Sequence, residues 1–314
     1  MRIVITGGTG LIGRALAQSL LADKHAVVAL SRNPQYARNM PKGVKVEKWD
    51  GRTPAGWGKL ADGAEAIVNL AGESIAGQNL LAILFKRWTR KQKRRIIESR
   101  QQAGRAVVQA IEEAKQKPKV LIQASAVGYY GVVDNAVLTE DAPNGFDFQA
   151  RVCWDWETAT SHAEVLGVRR VVIRSGLVMS RKGGILPMVV LPFRFFAGGR
   201  LGGGRQRFPW VHIDDEVGAI RFLIENPNAR GAFNLNAPDV LANAQLAKLI
   251  GRVMRRPSFF PAPAFALRLA LGEKSTLVLD GWRPSPKRLL DMGYAFKFPD
   301  AEPAFRDLLK TKDK

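Results

Sequence analysis

Residues 1–13 read MRIVITGGTGLIG, an apolar run that leads into three glycines and then into a helical pattern. Gly7, Gly10 and Gly13 are spaced three residues apart. Between a strand and a helix, the first glycine permits a tight turn, the second lets backbone N–H groups approach a phosphate, and the third lets helix and strand pack closely. The helix N-terminus then faces the anion. The stretch predicts a dinucleotide site; the alternative interpretation is a turn that merely needs glycine.

The end of the second predicted strand indicates which dinucleotide is bound. Residues 26–30 form a continuous apolar run, typical of a buried strand, and Ser31 and Arg32 follow it. A site that prefers NAD usually places an acid here to hold the ribose 2′-hydroxyl. Arg32 can instead clamp a 2′-phosphate, which a carboxylate would repel. We therefore expect NADP(H) rather than NAD(H), against the alternative of a solvated arginine at a strand end.

The composition excludes several classes of protein. A chain of 314 residues with a hydrophobic fraction of 46% holds one large or two modest domains. No apolar run reaches the roughly 18 residues that span a bilayer, and the chain starts directly with a strand, so we expect no signal peptide and a cytoplasmic location. The single cysteine, Cys153, excludes an internal disulfide. His25, His162 and His212 lack the spacing of metal ligands, so no metal is predicted.

The formal net charge of +20 is partly concentrated in residues 86–105, where Glu98 is the single acid. A basic stripe of this kind can bind nucleic acid or acidic membranes. The sequence has no helix-turn-helix, zinc finger or RNA-binding sheet motif, so we favour a solvated helix face and do not expect a nucleic-acid partner. Part of the excess charge is expected to serve an anionic cofactor and substrate.

Strands and helices alternate through the first half of the chain. Strands are predicted near residues 44–49, 66–72, 120–125 and 170–174, and helices from about 80 to 114 and from about 148 to 164. This alternation predicts an α/β fold with a doubly wound parallel Rossmann sheet. We assign residues 1–178 and 208–237 to this domain, and residues 179–207 and 238–314 to a smaller, mostly helical substrate or lid region. Ligands bind such sheets at the carboxyl ends of the strands, an edge that includes Asp50 and Ser125.

The chain resembles the extended short-chain dehydrogenase/reductase superfamily, which includes the nucleotide-sugar epimerases and dehydratases. The resemblance is carried by residues 6–13, 69–72, Ser125 with 129–131, and 211–215. A closer similarity is to an atypical branch labelled "epimerase family protein", sometimes cell-division-inhibitor-like. That similarity is carried by residues 70–73, 99–100, 128–131, 202–215, 272–273 and 286–289.

The resemblance implies an NADP-binding Rossmann domain, and with the strand-end argument it predicts a set of cofactor contacts. These residues are Gly7, Thr9, Gly10, Leu11, Ile12, Gly13, Ser31, Arg32, Asp50, Leu70, Ala71, Gly72, Arg100 and Val178. Two interpretations of Arg100 stay open. Its spacing alone makes it one more basic residue of a helix, whereas the resemblance makes it a phosphate or adenosine contact.

The chain departs from the superfamily at the catalytic pair Tyr-x-x-x-Lys, expected on the helix after the Ser125 strand. In the superfamily the tyrosine is the acid/base, and the lysine holds the nicotinamide ribose and lowers the tyrosine pKa. Here the two positions hold Gln149 and Cys153, and no tyrosine lies between Tyr130 and Tyr294. An amide does not exchange a proton near neutral pH, and a thiol carries no positive charge.

Three hypotheses follow from this departure. The first is a reductase or epimerase whose acid/base is relocated to Tyr129 or Tyr130, with Ser125 as a hydrogen-bond partner. The second is a non-catalytic NADP(H)-binding sensor or scaffold, in which the tyrosines only pack at the strand edge. The third is a basic protein that binds nucleic acid or a partner on an old enzyme fold. Hydride transfer by the cofactor would carry any reaction.

The substrate motif also differs from that of nucleotide-sugar enzymes. In those enzymes an arginine two residues after Gly-x-Gly-x-Gln binds the substrate diphosphate, and here Phe208 follows residues 202–206 at that position. Arg205 or Arg207 can substitute, and with Glu73 they are the candidate substrate residues. We expect a small substrate of unknown identity, and an anionic one is compatible with these arginines. Asp214 and Asp215 are predicted as acids at a helix N-terminus.

Overall fold

The computed structural model describes residues 1–37, 39–75, 77, 87–132 and 136–310. Its strands are β1 (Arg2–Thr6), β2 (Ala26–Ser31), β3 (Lys45–Lys48), β4 (Ala66–Asn69), β5 (Val120–Ala126), β6 (Val137–Leu138), β7 (Arg169–Ser175), β8 (Leu177–Ser180), β9 (Gly183–Gly184), β10 (Arg207–Phe208), β11 (Trp210–His212), β12 (Gly231–Leu235), β13 (Leu241–Ala242) and β14 (Arg283–Pro284).

Within the described ranges, seven strands form a parallel sheet in the order β12-β7-β5-β4-β1-β2-β3. β1 pairs with β2 on one side and with β4 on the other, so the direction of strand addition reverses at β1. A crevice for ligands opens at such a reversal, beyond the carboxyl ends of the strands. The predicted doubly wound Rossmann sheet is therefore confirmed.

The helices cover both faces of this sheet and build the smaller region. They are α1 (Leu11–Ala22), α2 (Arg90–Glu113), α3 (Phe148–Thr158), α4 (His162–Val165), α5 (Leu186–Arg194), α6 (Ile213–Glu225), α7 (Asn243–Met254), α8 (Ala264–Leu271), α9 (Thr276–Leu279), α10 (Lys287–Asp291) and α11 (Ala301–Leu309).

Two predicted helix boundaries need correction. α2 begins at Arg90 rather than near residue 80, because the Thr89 side chain caps the helix by accepting a hydrogen bond from the Gln92 N–H; residues 78–86 lie outside the described residues. The helix predicted over 148–164 is two helices. It breaks where the hydroxyls of Thr160 and Ser161 donate to backbone carbonyls three residues earlier, in competition with helical bonds.

The alternation of side chains along the strands builds one core on each face of the sheet. Ile3 and Ile5 pack with Leu16 of α1 and with α6, whereas Val4 packs with Val107 of α2 on the opposite face. All of these side chains are fully buried. The period of two along β1 therefore fixes which helices lie on which face.

The second half of the chain returns to the central sheet once and otherwise forms smaller units. β12 pairs with β7, as the assignment of residues 208–237 to the Rossmann domain requires. β8 pairs with β11, so the boundary drawn at residue 178 falls inside a strand. Of the helices in the described part of the chain, none is long and apolar enough to cross a membrane.

Candidate functional site

The glycine loop connects β1 to α1 as the sequence predicts. Gly7 has a φ of 65°, and a Cβ placed there would lie 2.9 Å from the carbonyl carbon of Leu70. A Cβ at Gly13 would lie 2.6 Å from the Cα of Gly8. Gly10 is the N-cap of α1 and offers no side-chain cap, and the first turn has no acid. The N–H groups of residues 11–13 therefore lack intrahelical partners and are available to an anion.

Three buried polar side chains connect β1, β4 and β5 by hydrogen bonds beside this loop. The Thr6 hydroxyl donates to Asn69 Oδ1 at 2.5 Å, and Asn69 Nδ2 donates to Gln123 Oε1 at 2.8 Å. The three side chains are fully buried. Thr6 also accepts a hydrogen bond from the Ala71 N–H, which holds the chain after β4 against the end of β1.

A cavity of about 670 Å³ opens in front of the glycine loop. This volume lies in the range of small-molecule sites. Most of the predicted cofactor residues line it, together with Glu73: these are Gly7, Thr9, Gly10, Ser31, Arg32, Asp50, Leu70, Ala71 and Gly72. The ends of β1, β2, β3 and β4 thus bring residues that are distant in sequence to one wall.

One end of the cavity is basic and follows β2 and β3. The Arg32 side chain is exposed there, and its Cδ lies 3.6 Å from a Cβ placed on Gly51. Arg52 lines the same cavity. The carboxylate of Asp50 accepts hydrogen bonds from the N–H groups of Arg52 and Thr53. Although slight burial opposes it, these bonds lower the pKa of Asp50, so this carboxylate is charged and committed to its own turn.

Arg100 is buried rather than part of the solvated face of α2. Its Nη1 donates to the carbonyls of Glu73 and Ile96, both at 2.9 Å, and its Cζ lies 4.5 Å from the Trp156 ring centroid. Burial lowers its pKa to about 10. Its Nε is buried and without a hydrogen-bond partner. The burial of Arg100 sets it apart from the other basic residues of this helix, and its contact with a cofactor phosphate or adenosine stays a prediction.

The other predicted cofactor residues lie outside the wall of this cavity. Leu11 opens α1, Ile12 packs against the core, and Gly13 is buried beneath the loop. Val178 lies on β8. A Cβ placed on Gly184 would meet Leu11 Cδ2 at 2.8 Å and the Val178 carbonyl oxygen at 3.3 Å, so both residues lie beside Gly184.

The ends of β5 and β7 hold a closed polar network. Arg174 Nε and Nη2 donate to the two carboxylate oxygens of Glu157, at 3.0 and 3.1 Å. The Ser125 hydroxyl donates to the same carboxylate at 2.6 Å. All three residues are buried. Although burial opposes it, the hydrogen bonds and charge of Glu157 raise the pKa of Arg174, so this is a bidentate buried ion pair.

The two candidate tyrosines pack against this ion pair. Arg174 Cζ lies 3.4 Å from the Tyr129 ring centroid and 5.2 Å from that of Tyr130. The Tyr130 hydroxyl donates to Asn234 Oδ1 at 2.6 Å, and burial raises its pKa to about 12. Burial also raises the pKa of Tyr129. The sequence predicts Ser125 as the hydrogen-bond partner of Tyr129 or Tyr130, whereas the Ser125 hydroxyl donates to Glu157 and the Tyr130 hydroxyl donates to Asn234.

Gln149 and Cys153, which stand where the resemblance predicts the Tyr-Lys pair, lie on α3. Gln149 and Cys153 are buried there, and a Cβ on Gly128 would lie 3.3 Å from Gln149 Cβ and 3.8 Å from Cys153 Sγ. Burial raises the pKa of Cys153 to about 12, and Arg100 is the nearby positive charge that opposes the rise. Arg100 is therefore the cation next to the position that lacks a lysine.

The three candidate substrate residues are not brought together. Glu73 lines the cofactor cavity and pairs with Arg95 at 3.2 Å. Arg207 lies on β10 and lines a different cavity of about 420 Å³, with Asp239 and the region of β14. Arg205 is exposed in the loop before β10. In α6 the predicted acids Asp214 and Asp215 do lie in the first turn.

Sequence reasoning missed several residues of both regions. Arg52 and Arg95 line the cavity, and Glu157 and Arg174 form the network. The sequence does offer a signal for Arg52, because Arg52 lies in the turn that Asp50 begins at the end of β3. The partnership of Glu157 with Arg174 has none, because it joins a helix to a strand through the tertiary fold.

Comparison with known proteins gives consistent matches over the whole chain. Residues 3–236 match the model of the NAD dependent epimerase/dehydratase family, and residues 262–308 match a domain of unknown function, DUF1731. The chain is 39% identical over 313 residues to the epimerase family protein YfhF of Bacillus subtilis (strain 168), with 99% of both chains covered. It is 37% identical over 318 residues to the chloroplastic SDR39U1 homolog of Arabidopsis thaliana, with 99% of this chain and 87% of that one covered.

Solved structures give the same result for the fold. The human epimerase family protein SDR39U1 (isoform 2), crystallised with NADPH, superposes with a TM-score of 0.84 at 33% identity, covering 98% of this chain and 99% of that one. A UDP-glucose 4-epimerase of Thermus thermophilus, in complex with NAD, superposes with a TM-score of 0.75 at 17% identity, covering 98% and 97%. At that identity the second match shows the fold alone.

Proposed function

The chain belongs to the NAD dependent epimerase/dehydratase family, and from that premise we propose that it binds NADP(H) and acts as an oxidoreductase or epimerase on a small anionic substrate. The observation that carries the proposal is the N-terminus of α1, which has no side-chain cap and no acid and begins at the glycine loop that lines the cavity. A diphosphate fits there because it supplies the acceptors that these N–H groups lack.

The preference for the 2′-phosphate rests on the basic end of the cavity. Arg32 follows β2 directly, and Arg52 lines the same cavity after β3. Two guanidinium groups suit a phosphate, which takes charge-assisted hydrogen bonds from each. The human relative crystallised with NADPH supports the same choice.

The residues on the nicotinamide side also suit a bound cofactor. Arg100 has an unpartnered buried Nε, and it carries positive charge beside the Cys153 position. We assign to Arg100 the fixed charge that the superfamily draws from lysine. When bound, the nicotinamide supplies or accepts a hydride.

A proton donor must accompany that hydride, and Tyr129 is the better of the two tyrosines. The hydroxyl of Tyr130 is committed to Asn234, and its pKa of about 12 reflects burial. The Arg174 guanidinium holds the Tyr129 ring in place. Burial raises the pKa of Tyr129, so its hydroxyl is protonated at neutral pH, and the charge of Arg174, which opposes this rise, favours release of the proton to a carbonyl oxygen.

Calorimetric titration of the purified protein with NADPH and NADH tests the cofactor assignment. We expect binding that is selective for NADPH, and protein stripped of co-purified dinucleotide must regain it. A folded protein that binds neither dinucleotide at physiological concentration contradicts the proposal. Selective binding of NADH would refute the phosphate assignment alone.

A second function, non-catalytic binding of NADP(H), is favoured by the closed network at β5 and β7. The Ser125 hydroxyl donates a hydrogen bond to Glu157, and the Tyr130 hydroxyl donates a hydrogen bond to Asn234. A screen of carbonyl and nucleotide-sugar compounds, read as oxidation of bound NADPH, separates the two functions. Turnover that is lost in Tyr129→Phe supports the enzyme, whereas tight NADPH binding without any turnover supports the sensor or scaffold.

A further inference from the structure

The smaller region carries a group of large apolar side chains that face solvent. Phe195, Phe259, Phe265 and Leu269 are 75%, 72%, 73% and 74% exposed, a level that is costly for isolated side chains of this size. We call the group the aromatic ridge. It consists of Phe195, Phe196, Phe259, Phe260, Phe265 and Leu269.

The members of the ridge are held together by backbone contacts between two segments. The Phe260 N–H donates to the Gly198 carbonyl at 3.0 Å, and the Ala262 N–H donates to the Arg200 carbonyl at 2.9 Å. A Cβ on Gly199 would lie 1.9 Å from the Phe260 carbonyl oxygen, so only glycine permits this approach. The rings of Phe259 and Phe260 are 4.5 Å apart.

α8 continues the ridge along the chain. Pro263 is its N-cap, and Phe265 and Leu269 lie one turn apart on the same exposed side. The ridge is therefore made of two paired loop segments and the short helix that directly follows one of them. Contiguous exposed apolar surface of this kind marks an interaction site.

The border of the ridge is basic. Arg256 Cζ lies 4.3 Å from the Phe196 ring centroid. Further arginines are exposed in the same segments: these are Arg194, Arg200, Arg255 and Arg268. Neither residues 185–213 nor residues 243–272 contain a single acid. The surface thus combines apolar side chains with an excess of positive charge.

The basic N-terminal part of α2 extends this border. Arg87 Nη2 donates to the Leu269 carbonyl at 2.9 Å, and Lys93 Nζ pairs with Glu273 Oε1 at 2.5 Å. Arg90 and Lys91 are exposed at the start of the same helix. The charge that the sequence concentrates in residues 86–105 therefore begins beside the ridge.

We propose that the aromatic ridge docks this protein on an anionic membrane surface. Exposed Phe and Leu side chains enter the boundary between headgroups and acyl chains, while arginine stems lie along it and their guanidinium groups reach lipid phosphates. A second copy of the chain is a poorer occupant, because two such surfaces of like charge repel each other.

Co-sedimentation of the full chain with lipid vesicles tests the proposal. We expect binding to vesicles of phosphatidylcholine with phosphatidylglycerol, weak binding to phosphatidylcholine alone, and loss of binding as salt rises. The double variant Phe259→Ser/Phe265→Ser should weaken binding to the anionic vesicles about tenfold or more. Phe146→Ser is the matched control, because Phe146 is also fully exposed but lies outside the ridge.

Melting temperature and NADPH affinity of each variant show whether the fold is intact. Equal vesicle binding by the wild type and the double variant overturns the proposal, as does binding to neither vesicle. Self-association that the double variant abolishes, without vesicle binding, reassigns the ridge to a second copy. Salt-steep binding to RNA or DNA through the ridge, without vesicle binding, also overturns it.

Discussion

The carboxyl-terminal edge of the sheet has two halves, and they differ in whether their polar groups already have partners within the protein. At the ends of β1, β2 and β3, the glycine loop and the side chain of Arg32 line an open cavity, and the N–H groups of the first turn of α1 have no side-chain cap. At the ends of β5 and β7, the polar atoms of Ser125, Glu157 and Arg174 are buried and bonded to one another. The half at β1, β2 and β3 offers free donors to a ligand that supplies hydrogen-bond acceptors. The other has already satisfied its own donors, which is why binding is better supported than turnover.

The largest effect is expected at the closed half, from Arg174→Ala. It leaves the carboxylate of Glu157 buried without its cation, and breaking a buried pair costs about 3–5 kcal/mol of stability. Chemical denaturation measures the loss. Arg151→Ala is the control, since Arg151 is largely exposed in its pair with Asp155 and should change stability by about 0.5 kcal/mol or less. Equal losses in the two variants would show that the network is not closed as described.

At the open half, Gly13→Ala should abolish the close approach of helix and strand. Its Cβ would lie 2.6 Å from the Gly8 Cα, and backbone atoms cannot rotate away. We expect overpacking to cost about 1–3 kcal/mol of stability and, by displacing the glycine loop, to weaken NADPH binding about tenfold or more in calorimetry. Gly203→Ala is the control, because nothing lies within 4 Å of a Cβ there. An unchanged affinity in Gly13→Ala would place the diphosphate elsewhere.

A second carboxyl group at the closed half, Glu216, should make stability depend on pH. It accepts a hydrogen bond from the Ser175 hydroxyl at the end of β7, and burial raises its pKa to about 7. The folded protein therefore holds a proton that the unfolded chain loses near pH 4.3, so the contribution of Glu216 to stability is full below that pH and is lost as the pH rises to about 7.

Glu216→Gln should remove this fall and gain roughly 3.5 kcal/mol relative to the wild type at about pH 8. Thermal or denaturant unfolding of both proteins across the pH range measures it. Glu225→Gln is the matched control, since it removes an exposed carboxylate from the same helix. Parallel profiles for the wild type and Glu216→Gln would rule out the titration.

The smallest effect is expected from Arg32→Ala, which changes one charged contact at the open half. It should weaken NADPH binding by about 1.5 kcal/mol, roughly tenfold, and leave NADH binding nearly unchanged. Arg52→Ala tests whether the neighbouring guanidinium shares the phosphate. Equal losses for NADPH and NADH in Arg32→Ala would contradict the assignment of Arg32 to the 2′-phosphate.

The open half could be predicted from the sequence because its determinants are local. Gly7, Gly10 and Gly13 lie within seven consecutive residues, and Arg32 directly follows β2. The family matches confirm the resemblance that these motifs carry. Parallel strands then bring Asp50 and Leu70 to the same edge, as the rule for open sheets requires.

The closed half could not be predicted, because its partners are far apart in sequence and belong to different elements. Arg174 ends an apolar run and reads as an ordinary strand-end arginine, while Glu157 lies on a helix. Their pairing depends on how α3 packs on β5 and β7. The same holds for Arg100, whose burial against Trp156 reverses the expectation from a basic helix face.

The burial of Cys153 provides a chemical probe for the local opening of the layer formed by α3 and β5. It is the chain's one thiol, it is 4% exposed, and burial raises its pKa to about 12. An alkylating reagent can therefore modify it only while α3 is separated from β5, so the labelling rate measures how often that layer opens. A bound ligand that contacts this layer would slow the reaction, which gives a screen for substrates that needs no assumption about turnover.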